Sequence, residues 1–190
     1  MALLIIGIVA FLGLHLLPTF GGLRERLIER LGENGYKALF SILSILGLVL
    51  LVYGFAKAPF VPVWTPPAWM RHVAMLLMLP AFILLVAAYF PGRIKAIVKH
   101  PMLTAIKTWA LAHLLVNGDL ASMILFGSFL AFAVYDRIAL KHRRPTELIE
   151  TPGPGRPRND VIAVVLGLVF YAVFLIWLHP LLIGKPVVAM

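Results

Sequence analysis

Lys99-His100-Pro101-Met102-Leu103-Thr104-Ala105-Ile106-Lys107-Thr108-Trp109-Ala110-Leu111-Ala112-His113 puts two histidines and a lysine on what reads as one short helix between apolar segments. The rest of the chain explains why that matters. Of 190 residues, 62% are hydrophobic, too many for an ordinary soluble domain. A hydrocarbon layer asks for about 20 consecutive apolar residues per spanning helix, and several stretches meet that length. The fold class expected is therefore all-α, a polytopic membrane helix bundle of about six transmembrane helices with both termini outside. An ionisable side chain at membrane depth is costly, and by default it marks a functional site with a partner to be named.

Outward from that stretch the chain divides into spans and connectors. Residues 2–20 form a first span carrying Gly7, Gly13, His15 and Pro18. Its start lacks the basic region of a cleaved signal peptide. Residues 22–34 are amphipathic: Leu23, Leu27, Ile28 and Leu31 recur at helical spacing, with Arg24, Arg26, Arg30, Glu25, Glu29 and Glu33 on the other side. Such a segment lies in the membrane interface or forms a solvated connector. Span two covers roughly 36–56, and Ser41, Ser44, Gly47 and Gly54 give it a small-residue side. A loop with Pro59, Pro62, Trp64, Pro66, Pro67 and Trp69 leads to span three, roughly 69–90, where Pro80 predicts a kink. Residues 91–100 read as a basic connector, and 102–117 as a short span four. Asn117-Gly118-Asp119 turns the chain, with Asp119 as N-cap of span five over 119–136. A basic loop at about 137–159, containing Pro152-Gly153-Pro154-Gly155, precedes span six at about 160–184. The whole, 1–190, reads as one membrane domain without internal repeats.

Charge gives the orientation. A formal net charge of +9 on a soluble face would suggest nucleic acid, but here the basic residues are grouped between apolar segments. Arg24, Arg26, Arg30, Lys37, Arg93, Lys95, Lys99, Arg137, Lys141, Arg143, Arg144, Arg156 and Arg158 fall on one side of the expected topology. Only Lys57, Arg71 and Lys185 fall on the other, which the positive-inside rule reads as outside. The lipid bilayer is thus the partner, not nucleic acid. With zero cysteines, disulfides, thiolate metal sites and cysteine catalysis are excluded.

The six histidines separate by context. His142, in Lys141-His142-Arg143-Arg144, reads as a solvated residue, and His72 as interfacial. His15, His100, His113 and His179 lie in or at the ends of apolar helices. Each has two ring nitrogens to satisfy. A structural hydrogen bond would do for any one alone. Four together, without neighbouring carboxylates for acid–base work, point to metal or haem ligation, since neutral imidazole is a natural haem ligand. His100 and His113 are about 20 Å apart along one helix and about 220° apart around it, so they cannot hold one iron together. Trp109 shares His113's side and Lys107 shares His100's, making a candidate pocket wall, with Asp136 as a candidate partner for Lys107. By height in the membrane, His15 matches His100 and His113 matches His179.

Phe11-Leu12-Gly13-Leu14-His15, Gly32-Glu33-Asn34-Gly35-Tyr36-Lys37, His100-Pro101 and Trp109-Ala110-Leu111-Ala112-His113 with Asn117-Gly118 resemble the NnrU family of bacterial membrane proteins, over nearly the whole chain. That resemblance implies a multi-pass protein of the bacterial inner (cytoplasmic) membrane associated with nitrite and nitric oxide metabolism, that is, denitrification. The chain is also similar to the 15-cis-zeta-carotene isomerases of plants, which implies haem b held by His15 and His113, with His100 and His179 as the alternatives. Ala110 stands where those isomerases carry a cysteine.

Three functions are expected from these readings. A haem-dependent, isomerase-like protein would act on a hydrophobic small molecule or bind nitric oxide. A non-enzymatic assembly factor would help a respiratory reductase mature, its histidines being structural. A membrane methyltransferase is suggested by Lys99-His100-Pro101, which resembles the Arg-His-Pro element of isoprenylcysteine methyltransferases. Tyr135, Asp136, Glu147 and Glu150 do not continue that enzyme's pattern.

Overall fold

In a computed structural model, which describes residues 1–20, 22–142 and 155–187, the described residues form helices and no strand. In chain order these are α1 (Ala2–Leu16, prolonged by a 3₁₀ turn, Leu17–Thr19), α2 (Leu23–Ala56), α3 (Met70–Ala87), α4 (Arg93–Val98), α5 (Pro101–Val116), α6 (Leu120–His142) and α7 (Pro157–Val173). A π-turn, Phe174–Leu178, joins α7 to α8 (His179–Ile183). Among the described residues five helical stretches are long and apolar enough to cross a membrane: Ala2–Thr19, Leu23–Ala56, Met70–Ala87, Leu120–Leu140 and Pro157–Ile183. This is a polytopic helical membrane protein. The remaining expected span, α5, has 16 residues, about 24 Å against a hydrocarbon core of about 30 Å.

Chain contacts divide the molecule into two units. The first comprises Met1–Pro67 and His113–Arg143. Its centre is the antiparallel pair of α1 and α2, brought together by glycine. A Cβ on Gly7 would lie 2.5 Å from the Cα of Leu51, and one on Gly54 would lie 2.5 Å from the backbone nitrogen of Leu4. One on Gly47 would lie 3.1 Å from the backbone nitrogen of Phe11. Backbones this close exclude lipid, and the contact is one of dispersion, since burial from lipid offers little hydrophobic drive. The long α2 is broken at Gly32, whose φ of 71° and ψ of 165° are open essentially to glycine alone. The break falls inside the amphipathic segment expected over 22–34, near its end and just before the apolar span. Arg24 stacks on Tyr36 at 5.8 Å. The hydrogen bond and charge of Lys37, 2.7 Å away, hold the Glu33 carboxyl below the usual range, a pair too exposed to add much stability.

The second unit comprises Ala68–Ala112 and Arg144–Met190. Here α3, with Pro80 inside it, packs on α7, where Gly167 lies against the backbone of Ile83. Val86, Ala87 and Ala163 form a core joined by Phe90, Ile94 and Leu166. The segment 91–100 contains a helix where the sequence reads as a connector alone. Asp160 explains it: its Oδ1 accepts the Ile94 N–H at 3.0 Å and caps α4 from another helix. Lys95 Nζ donates to the Ala88 carbonyl at 2.8 Å, satisfying the end of α3. The basic loop expected from 137 begins later, because α6 runs on to His142. Residues 143–154, with most of the Pro-Gly stretch, and the side chain of His142 lie outside the described residues.

These contacts fix two substitutions. Gly7→Leu is expected to destabilise the protein by about 1–3 kcal/mol through overpacking, whereas Gly13→Leu, with no atom within 4 Å of its Cβ, should stay within about 0.5 kcal/mol of the parent. Unfolding of the purified protein by sodium dodecyl sulfate, followed by circular dichroism, measures both.

Candidate functional site

A polar side chain in an apolar helix has one ready acceptor, the carbonyl a turn earlier. His15 takes it: its Nδ1 lies 2.8 Å from the Phe11 carbonyl. With Nδ1 as donor, Nε2 keeps the lone pair, as in histidines that ligate metals. Around the half-buried ring stand Phe11 at 4.4 Å, Phe40 at 5.4 Å and Phe132 at 6.4 Å between centroids, from α1, α2 and α6.

His113 belongs to the same unit and is also half-buried. Its ring stacks on Phe126 of α6 at 4.5 Å and 28°. Phe126, Phe129 and Phe132 recur every third residue on α6, and Phe129 meets Phe11 at 6.0 Å. The two histidines therefore border one aromatic ridge, at levels about 9 Å apart along α6.

The end of α5 and the start of α6 are tied down on both sides of their turn. Asn117 Nδ2 donates to the His113 carbonyl at 2.8 Å. Asp119 caps α6 by accepting the Ser122 N–H at 2.9 Å, in line with its position in the sequence. The Pro/Trp loop completes the anchor, which sequence reasoning missed. Val63 and Trp64 N–H groups donate to the Gly118 carbonyl at 2.8 and 3.1 Å, and the Leu120 N–H donates to the Val61 carbonyl at 2.9 Å. Gly118 lies so close to the Trp64 carbonyl that no side chain would fit. A Pro-rich segment paired with a turn far along the chain carries no periodic signal, though Gly118 itself was a hint.

The other candidates lie elsewhere. His100 and His179 belong to the second unit. His179 Nδ1 lies 2.8 Å from the Lys185 carbonyl, with Phe174 at 6.2 Å edge-on. The His100 carbonyl accepts both the backbone N–H and the hydroxyl of Thr104, at 3.1 and 3.2 Å. Just before it, Lys99 has a φ of 65°, and the His100 N–H donates to the Val98 carbonyl at 2.8 Å, forming a tight γ-turn. Lys107 and Trp109 are half-buried on α5, also in the second unit, while Asp136 belongs to the first. His72 is exposed.

Two further features adjoin His15. A cleft of about 250 Å³ between α1 and α2 is lined by Ala10, Leu14, Leu43, Leu46, Gly47 and Leu50, all apolar. Ser44 lies on the face of α2 that carries Phe40, Gly47 and Leu51, opposite Leu14 in the glycine-set register. Its buried Oγ has no hydrogen-bond partner among the described residues. Thr104 and Thr108, by contrast, bond back to their own helix.

The donor set fits haem. Among the described residues no three His, Asp or Glu side chains converge as a bare metal ion would need. Haem asks the protein for only one or two axial donors, because the macrocycle supplies the rest. His15 offers an oriented Nε2, and the neighbouring phenylalanines suit an aromatic macrocycle.

Compared with known proteins, the chain matches the family model described as NnrU protein over residues 3–187. Neither curated proteins nor solved structures gave a match.

The Asp119 cap is open to test. Asp119→Ala should lower stability by about 1 kcal/mol and Asp119→Asn should recover most of it, read from the same detergent unfolding midpoint.

Proposed function

The chain belongs to the NnrU family, and from that membership together with the His15–His113 arrangement we propose that it binds haem b in the bacterial inner membrane. The observation that carries this reading is the His15 ring: Nδ1 is bonded to its own helix, Nε2 is left as the basic nitrogen, and rings from three helices surround it. His113, on the same phenylalanine ridge, would be the second residue to hold the group. Haem bound there would supply a redox-active iron whose sixth position opens only when one imidazole leaves, which would then let it bind nitric oxide or act in cis–trans isomerisation of a hydrophobic substrate.

The chain's own residues divide the work. Phe11 orients His15 through its carbonyl. Asn117, Asp119 and the 61–64 segment hold the end of α5, and with it the His113 backbone. Phe40, Phe126 and Phe132 pack against the two imidazoles and fix where their rings lie.

Protein purified in detergent from haem-replete cells should show a Soret band with the visible bands of two-imidazole ligation. His15→Ala and His113→Ala should each abolish or shift it, while His100→Ala and His179→Ala leave it unchanged. A colourless preparation, or a spectrum indifferent to both His15 and His113, would refute the reading.

A further inference from the structure

We propose that the end of the second unit built from α4 and the start of α7 binds the phosphodiester headgroup of an anionic glycerophospholipid. The site begins with two glycines. Gly155 rests on the backbone of Gly92 and Arg93 so closely that a side chain on it would overlap them. Gly92 in turn lies against the Asp160 carboxylate. Asn159 Nδ2 donates to the Pro91 carbonyl at 2.8 Å, and Asp160 accepts the Ile94 N–H. The two chain segments are thus fixed to one another, and the residues after the glycines, Arg93 and Arg156, emerge from touching backbones. Both are exposed, as are Arg158 in the first turn of α7 and Lys99 just beyond α4. The neighbouring Asp160 already serves the α4 backbone.

The surroundings identify the kind of anion. Ile97, on the six-residue α4, is 79% exposed, and Tyr89, just past α3, is 73% exposed. Apolar and tyrosine side chains left bare beside arginines describe the headgroup level of a bilayer, where hydrocarbon and charge are both within reach. A soluble anion would have no use for Ile97 and Tyr89. A lipid satisfies both halves, its phosphate with the charges of Arg93 and Arg156, whose backbones the glycines bring together, and its acyl chains beside the apolar side chains. This site shares no residue with the proposed haem ligands.

Delipidated full-length protein in a non-ionic detergent is titrated with phosphatidylglycerol and, separately, with phosphatidylcholine of the same acyl chains, bound lipid being read by native mass spectrometry. Phosphatidylglycerol should be retained selectively, and Arg93→Gln and Arg156→Gln should each weaken it about five-fold, compounding in the double variant. Arg24→Gln/Arg26→Gln, in the first unit, should leave retention unchanged. Helicity by circular dichroism checks folding, and if the double variant does not fold, the single variants and the wild-type comparison of lipids still decide. Equal retention of the two lipids, wild-type retention by folded Arg93 and Arg156 variants, or an equal loss in the Arg24/Arg26 variant would overturn the proposal. So would displacement of phosphatidylglycerol by millimolar inorganic phosphate, which would make the free anion the ligand.

Discussion

Everything in the first unit depends on the approach of α1 and α2 through Gly7, Gly47 and Gly54. In water, apolar faces are driven together by leaving the solvent. In a bilayer the surrounding lipid is as apolar as leucine, and shape must do what hydrophobicity does elsewhere. Three glycines spread along one seam let two backbones touch over most of their length. The same register brings Phe40 beside His15 and leaves Ser44 opposite Leu14. The histidine environment is therefore a product of helix spacing as much as of its own side chains.

The polar groups obey a second constraint. Lipid offers no hydrogen bonds, so each must find a partner within the protein. His15, Thr104, Thr108 and Asn117 all turn back on the carbonyl four residues earlier. This is the cheapest solution, because it asks nothing of the neighbouring helix. Ser44 departs from it, leaving a buried hydroxyl unmatched beside the helix that carries His15. A group of that kind costs about 1–3 kcal/mol, and it lies one turn along α2 from Phe40, which packs against His15.

Much of this was legible in the sequence because helices announce themselves locally. Apolar runs and the Asp119 cap are patterns within one or two turns, and both appear in the structure where the residues indicated. The contacts that tie distant segments together were not visible. Nothing near Val61 marks it as the acceptor for Leu120, and nothing near Asp160 marks it as the cap of a helix more than sixty residues earlier. The same limit applies to the histidines. Height along a helix suggested partners for His15 and His113, whereas the packing that surrounds each of them comes from phenylalanines on α6 that periodicity alone presents as ordinary core.

The close seam between α1 and α2 also bears on how the molecule is made. The two helices are consecutive and separated by a short turn, so they can enter the bilayer as a hairpin and lock while the ribosome is still translating the later helices. At that stage His15 already has its Phe11 carbonyl and the Phe40 ring, but the wall formed by Phe132 and Phe129 does not yet exist. The hydrogen bond and the Phe40 contact of His15 need only α1 and α2, whereas its contact with Phe132 needs a helix more than a hundred residues later in the chain.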